Sequence, residues 1–202
     1  MPKKELKKDK KINSPSKTKK KVTRDQLYEL EKQMVSFLRT NHGGQLWHWS
    51  IVTPLVDQRW KNMLESNDKF LEKLEKKGDK LSVLSLGCGF CMHWPLIQEY
   101  GVKKFVGIDL FDLRNVDTGH GLLDTAQKLL DRFCPNSDTN LFAADVRDIE
   151  KILPKKLDKK YDVVVTATVN YEKLGSSGIS QELFDSVCDR YLKKNGVRVY
   201  VP

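Results

Sequence analysis

The sequence predicts an α/β fold, a mainly parallel sheet between two layers of helices, behind an N-terminal helical extension. Two observations predict it. From Lys80 onward, short apolar runs alternate with helical stretches, the order of β-α-β units in a parallel sheet. The first run, "LSVLSLG", is apolar on successive positions rather than alternate ones, as a strand covered on both faces must be.

Taken in order, residues 1–22 form a Lys-rich leader with ten lysines against Glu5 and Asp9. Such a run cannot bury a core and is expected to be disordered. It suits an acidic or nucleic-acid partner, an address such as a nuclear signal, or plain solubilisation. The whole chain carries 36 basic and 27 acidic residues, so the remaining 180 hold 26 and 25 and are close to neutral. No basic face is legible in that folded body.

Residues 23–79 read as a helical extension. Thr23-Arg-Asp-Gln26 has capping-box form, and Leu27, Leu30, Met34 and Leu38 recur at helical spacing up to Gly43-Gly44. His42, next to those glycines, reads as a helix-end residue. The aromatic segment "QLWHWSIV" follows, then a second helix opened by Thr53-Pro54 with Val56, Trp60, Met63 and Leu64 on one face. A third helical piece carries Phe70, Leu71 and Leu74 and stops at Gly78.

Residues 80–202 hold the alternating part. Strand "LSVLSLG" is followed by a short helix over 95–100, strand "KKFVGID", and the amphipathic helix "GLLDTAQKLLDRF" stopped at Pro135-Asn136. Strand "NLFAADV", a short helix over 147–153 and strand "YDVVVTAT" come next. Helix "ISQELFDSVCDRYL" and strand "GVRVYV" close the chain. An apolar strand ending the sheet leaves an edge. Three explanations stand open: a truncated product or fragment, a partner that covers the edge, or the helical extension folded across it. Self-association or partner binding along "VRVYV" is the expected outcome.

Ligands of such sheets lie beyond the carboxyl ends of the strands. Here the first strand ends in Leu86-Gly87-Cys88-Gly89, the second in Ile108-Asp109 and the third in Ala144-Asp145-Val146. Glycines admit positive φ and a close ligand, and a carboxylate at the second strand end accepts from ribose hydroxyls. The dinucleotide fingerprint G-x-G-x-x-G breaks at Met92. Cys88 and Cys91, two residues apart with His93 behind, raise zinc and redox readings instead. Structural zinc takes four ligands and a second pair is missing, while a redox pair stays open because a helix N-terminus lowers a thiol pKa. Cys134 and Cys188 fall in separate helices and read as core.

"VLSLGCGFCMHWPLIQEYGVKKFVGIDL" resembles the first two motifs of class I S-adenosylmethionine-dependent methyltransferases, a Rossmann-like family, with Leu96 at the motif's apolar position. "AADV", "YDVVVTAT" and "LKKNGVRVYV" are similar to its later motifs, so the resemblance spans roughly residues 80–202. It implies S-adenosylmethionine as cofactor and methyl transfer as activity. Leu86, Gly87, Cys88 and Gly89 would lie along the cofactor's methionine portion. Asp109 and the adjoining Leu110 would hold the ribose end, Asp145 and Val146 the adenine, and Thr166 would border the methyl group. The family's sheet has two further strands after the fifth, and this sequence ends at the fifth. The sequence also departs at Ser85, where the family often has an acid, at Cys91, where it prefers glycine, and after the fourth strand. There "TVNYEKL" replaces the proline-rich tetrapeptide of amino-methylating nucleic-acid enzymes.

No metal site is expected and no catalytic residue announces itself, because a sulfonium methyl group needs mainly in-line positioning. Asn170 and Tyr171 are the best-placed polar side chains, with an ordinary loop as their alternative. Trp47, His48 and Trp49 could cover the active site or, with Trp60, pin the extension to the sheet. His93 reads as structural, and His120 has no evident partner. A binding or scaffold protein with this fold but without turnover is the main rival, and other chemistry on the same cofactor is a third reading. The few cysteines, the missing signal peptide and the lack of a membrane-length apolar run predict an intracellular protein, cytoplasmic or nuclear.

Overall fold

The computed structural model describes residues 22–42, 67–111, 122–155, 157, 159–166 and 179–200. The Lys-rich leader, the segment around Trp47–Trp49, the Thr53-Pro54 helix, His120, and Asn170 with Tyr171 lie outside the described residues.

Helix α1, Arg24–His42, opens on the expected reciprocal cap: the Gln26 amide donates to Thr23 Oγ1 at 3.3 Å, and the Thr23 amide donates to Gln26 Oε1 at 3.0 Å. Its apolar stripe buries Met34 and Leu38 completely. Helix α2, Asp68–Lys77, is capped by Asn67, whose side chain accepts from the Phe70 amide, and it buries Phe70 and Leu74.

The chain then enters the sheet. Strand β1 is Ser82–Leu86, helix α3 His93–Gln98, β2 Lys104–Asp109 and α4 Leu122–Phe133. Strand β3 is Asp138–Ala143, α5 the single turn Ile149–Ile152, β4 Tyr161–Thr166, α6 Gln181–Tyr191 and β5 Leu192–Tyr200. Among the described residues these strands make one sheet, in the order β3-β2-β1-β4-β5, and every pairing is parallel. The fold is thus α/β and Rossmann-like, with the chain reversing its direction of travel across the sheet at β1.

Burial explains why apolar residues stand at both parities of these strands. Val83, Phe105 and Val163 belong to one core cluster, with α1, α2, α3 and α4. Their neighbours Leu84, Val106 and Val164 belong to the other, with α5 and α6. Successive side chains of a strand point to opposite faces, so a sheet covered twice needs apolar residues at both parities. Strand β1 is buried at all five positions.

Three boundaries differ from the sequence reading. Helix α3 begins at His93, two residues early, inside the glycine loop. Strand β3 stops at Ala143, because Asp145 leaves the ladder to cap a 3-10 turn at Val146–Asp148. Strand β5 begins at Leu192, and its register against β4 jumps: Tyr161 pairs with Leu192, whereas Val163 pairs with Val197. The "KKNG" stretch loops out as an irregularity tied to α2 by a Lys73 Nζ hydrogen bond to the Asn195 carbonyl. On its outer side, β5 has no strand among the described residues. No helix among them is long and apolar enough to cross a membrane.

Candidate functional site

The carboxyl ends of β1, β2 and β4 lie side by side, with Leu86 in register with both Ile108 and Thr166. Beyond Leu86 the backbone turns through two glycines of positive φ, Gly87 at 63° and Gly89 at 51°. The Gly87 amide still bonds to the Ile108 carbonyl at 2.8 Å, so the turn starts from the ladder itself. A Cβ placed on Gly89 would meet nothing within 4 Å. The turn therefore presents bare backbone to open space.

Asp109 holds that turn in place. Its Oδ2 accepts from the Gly89 amide at 2.8 Å and its Oδ1 from the Phe111 amide at 2.9 Å. One carboxylate thereby ties the loop after β1 to the loop after β2. Burial pushes its pKa above the usual carboxylate range, and the two amides pull the other way. Leu110, between the tied residues, is half exposed at 50%.

The cysteines face inward. Cys91 has φ 59°, the backbone conformation of a glycine, yet its side chain is fully buried with Sγ 3.6 Å from the Gly89 carbonyl. Cys88 Sγ sits under β2, where a Cβ on Gly107 would come within 2.8 Å of it. Burial and the neighbouring Cys91 push the Cys88 thiol well up, and burial pushes Cys134 and Cys188 up to about 12. Nucleophilic and metal-binding thiol chemistry both need the thiolate, which these surroundings disfavour. The Cys-x-x-Cys pattern is a packing pattern in this fold.

Ser85 and His93 are a pair that sequence reasoning missed. Ser85 Oγ lies 3.0 Å from His93 Nε2, with both residues buried. Burial pushes the His93 pKa down to about 3, so the ring stays neutral and links β1 to the first residue of α3. The signal was present: a serine inside a strand buried on both faces needs a hydrogen-bond partner.

The remaining rim positions are occupied differently. Asp145 accepts from the Arg147 amide and forms an ion pair with its guanidinium, which holds the carboxyl below the usual range. Val146, next to it, is 7% exposed and packs with Leu84, Leu86 and Ile108. Thr166 is fully buried, and its Oγ1 has no hydrogen-bond partner among the described residues. The structure thus gathers Leu86, Gly87, Cys88, Gly89, Asp109, Leu110 and Thr166 at neighbouring strand ends, with Asp145 and Val146 beyond the end of β3. The Cys88 and Val146 side chains are buried.

Strand order, parallel register and this rim define a Rossmann-like domain. Solved structures similar to the chain include protein arginine methyltransferase 10 of Arabidopsis thaliana, at 20% identity over 74% of this chain and 36% of that one, with TM-score 0.48. A SAM-dependent methyltransferase of Thiobacillus denitrificans, in complex with S-adenosyl-L-homocysteine, is 14% identical over 82% of this chain and 53% of its own, with TM-score 0.47. The PH0226 protein of Pyrococcus horikoshii is 22% identical over 77% and 63%, with TM-score 0.46. The chain thus spans less than two thirds of the length of each. No protein-family model matches the chain, and no curated protein does. The fold class is carried by the strand order of the chain itself.

Proposed function

We propose that the chain binds S-adenosylmethionine over the carboxyl ends of β1, β2 and β4 and transfers a methyl group to an acceptor. The observation that carries this reading is the turn at Gly89. Its backbone is open to a ligand and is fixed from behind by a partly buried carboxylate at the end of the next strand. Cys91 does not obstruct it, since the side chain is turned into the core. Thr166 adds a buried hydroxyl at the adjoining strand end with no partner among the described residues, a group that costs stability unless a partner arrives.

In this reading the Leu86–Gly89 backbone borders the amino-acid portion of the cofactor. Asp109 accepts from the ribose hydroxyls through its remaining lone pairs, with Leu110 alongside. Asp145 and Val146 stand at the adenine end, and Thr166 near the acceptor side. When bound, the cofactor supplies a sulfonium-activated methyl group with a good leaving group. What remains for the chain is orientation of the acceptor and exclusion of water.

Titration calorimetry with S-adenosylmethionine and S-adenosylhomocysteine tests this. Both are expected to bind, and Asp109→Asn is expected to weaken binding at least ~10-fold, about the value of one charge-assisted hydrogen bond. Absence of binding by either compound would sink the cofactor assignment. Binding of both without methyl transfer to any component of a cell extract would assign the protein to the scaffold class.

A further inference from the structure

The end of the sheet opposite the glycine turn has a different chemistry. All strands run the same way, so all begin at one end, and their beginnings are rich in lysine. Lys80 precedes β1, Lys103 and Lys104 open β2, and Lys159 and Lys160 precede β4. Lys193 and Lys194 lie in the irregular start of β5, and the last turns of α2 add Lys73, Lys76 and Lys77 beside them. In sequence, the same segments hold seven acids against these ten lysines: Glu72, Glu75, Asp79, Glu99, Asp138, Asp158 and Asp162. Among these acids, Glu72 pairs with Lys76 and Asp162 with Lys193.

Six of the lysines, Lys77, Lys80, Lys103, Lys104, Lys159 and Lys194, are exposed and form no ion pair among the described residues. Crowding is visible at Lys73. Burial lowers its pKa first, Asp162 opposes that, and the like charges of Lys77 and Lys193 lower it further. Unneutralised charge gathered on one face attracts counter-ions and polyanions.

We infer that this lysine face is a docking surface for the phosphate backbone of a nucleic acid, separate from the site at the other end of the sheet. Its width favours that occupant. The strand starts β2-β1-β4-β5 span three inter-strand spacings, about 14 Å. That length faces roughly four successive phosphates along one strand of a duplex. A membrane-binding face pairs its lysines with exposed apolar side chains that insert among lipids. The exposed large hydrophobics among the described residues are Tyr28, Leu110 and Leu123, and none belongs to a lysine-bearing segment of this face. Binding through phosphates alone reads no sequence, so the expected association is unspecific and strongly salt-dependent.

The test uses the full chain and a 30-base-pair duplex of arbitrary sequence, with anisotropy measured from about 50 to 200 mM salt. The variant replaces the six ion-pair-free lysines with alanine. The control replaces Lys32 and Lys128, exposed lysines on α1 and α4. The six-fold variant is expected to bind at least ~10-fold more weakly at 100 mM salt. Its log–log salt slope should be shallower by about one unit for each phosphate that is no longer neutralised. The control should match the parent in both. If the six-fold variant keeps the parent's affinity and slope, the leader carries all polyanion binding and the inference is overturned. It is equally overturned if vesicles containing phosphatidylserine bind more tightly than the duplex with the same lysine dependence.

Discussion

Single residues carry much of the rim's organisation, and three of them can be tested directly. Gly107 is needed for space, not for backbone freedom. A Cβ there would lie 2.8 Å from Cys88 Sγ and 2.9 Å from both Leu141 Cδ2 and Trp94 Cη2, so three side chains close in on it at once. Gly107→Ala is expected to cost about 1–3 kcal/mol in a denaturant titration, the range of overpacked cores. His93 contributes a pH dependence. Its pKa in the fold, about 3, lies below the 6.5 of an unfolded chain. The stability it contributes is therefore fully present above pH 6.5 and is lost as pH falls toward 3. A shift of that size corresponds to a few kcal/mol, roughly 1.4 per unit. Replacing Ser85 with alanine and His93 with leucine together should move the acid-unfolding midpoint downward, as followed by circular dichroism. A midpoint that stays put would assign acid lability to another group. Neither Gly107 nor the Ser85–His93 pair was legible in the sequence as such. The space at Gly107 depends on how the β1 loop, α3 and β3 close over it, and the Ser85–His93 pair on how α3 packs against β1; single-chain periodicity carries neither.

At the scale of elements, helices and strands were legible because their signals are local. The Thr23–Gln26 cap, the α1 stripe and the glycine after α2 each stand within four residues of what they control. Thr23→Ala is expected to lower stability by about 1 kcal/mol, and Thr23→Asn by much less, in thermal unfolding. The boundaries that shifted were set by contacts distant in sequence or by competing side chains. Asp145 caps its own turn in preference to extending β3. The "KKNG" irregularity in β5 is anchored by α2, more than a hundred residues earlier in the chain. The glycine turn and the strand end at Asp109 were legible from local signals, whereas the hydrogen bond that ties Asp109 to the Gly89 amide was not.

For the whole molecule, parallel strand direction separates the two ends of the sheet chemically. The carboxyl ends bring together glycine backbone, Asp109 and Thr166; the amino ends bring together lysines from separate segments. That second gathering is invisible to a charge count, which finds the folded body nearly neutral. With the sites at opposite ends, raising salt from about 50 to 200 mM should abolish duplex binding while changing cofactor affinity less than ~2-fold in calorimetry.

The same strand order has a consequence for how the chain is made. Strand β1 pairs with β2 across only 22 positions, from Ser82 to Lys104, but with β4 across 80, from Val83 to Val163. A chain emerging from the ribosome therefore completes β1, β2 and β3 while the other edge of its central strand is still bare. The wait lasts until β4 appears, some seconds at ordinary rates of synthesis. During that interval a strand that ends up buried at all five positions is a half-covered template, and closing it requires a long-range parallel pairing of the slow kind. The topology therefore predicts chaperone dependence during synthesis, before any ligand is bound.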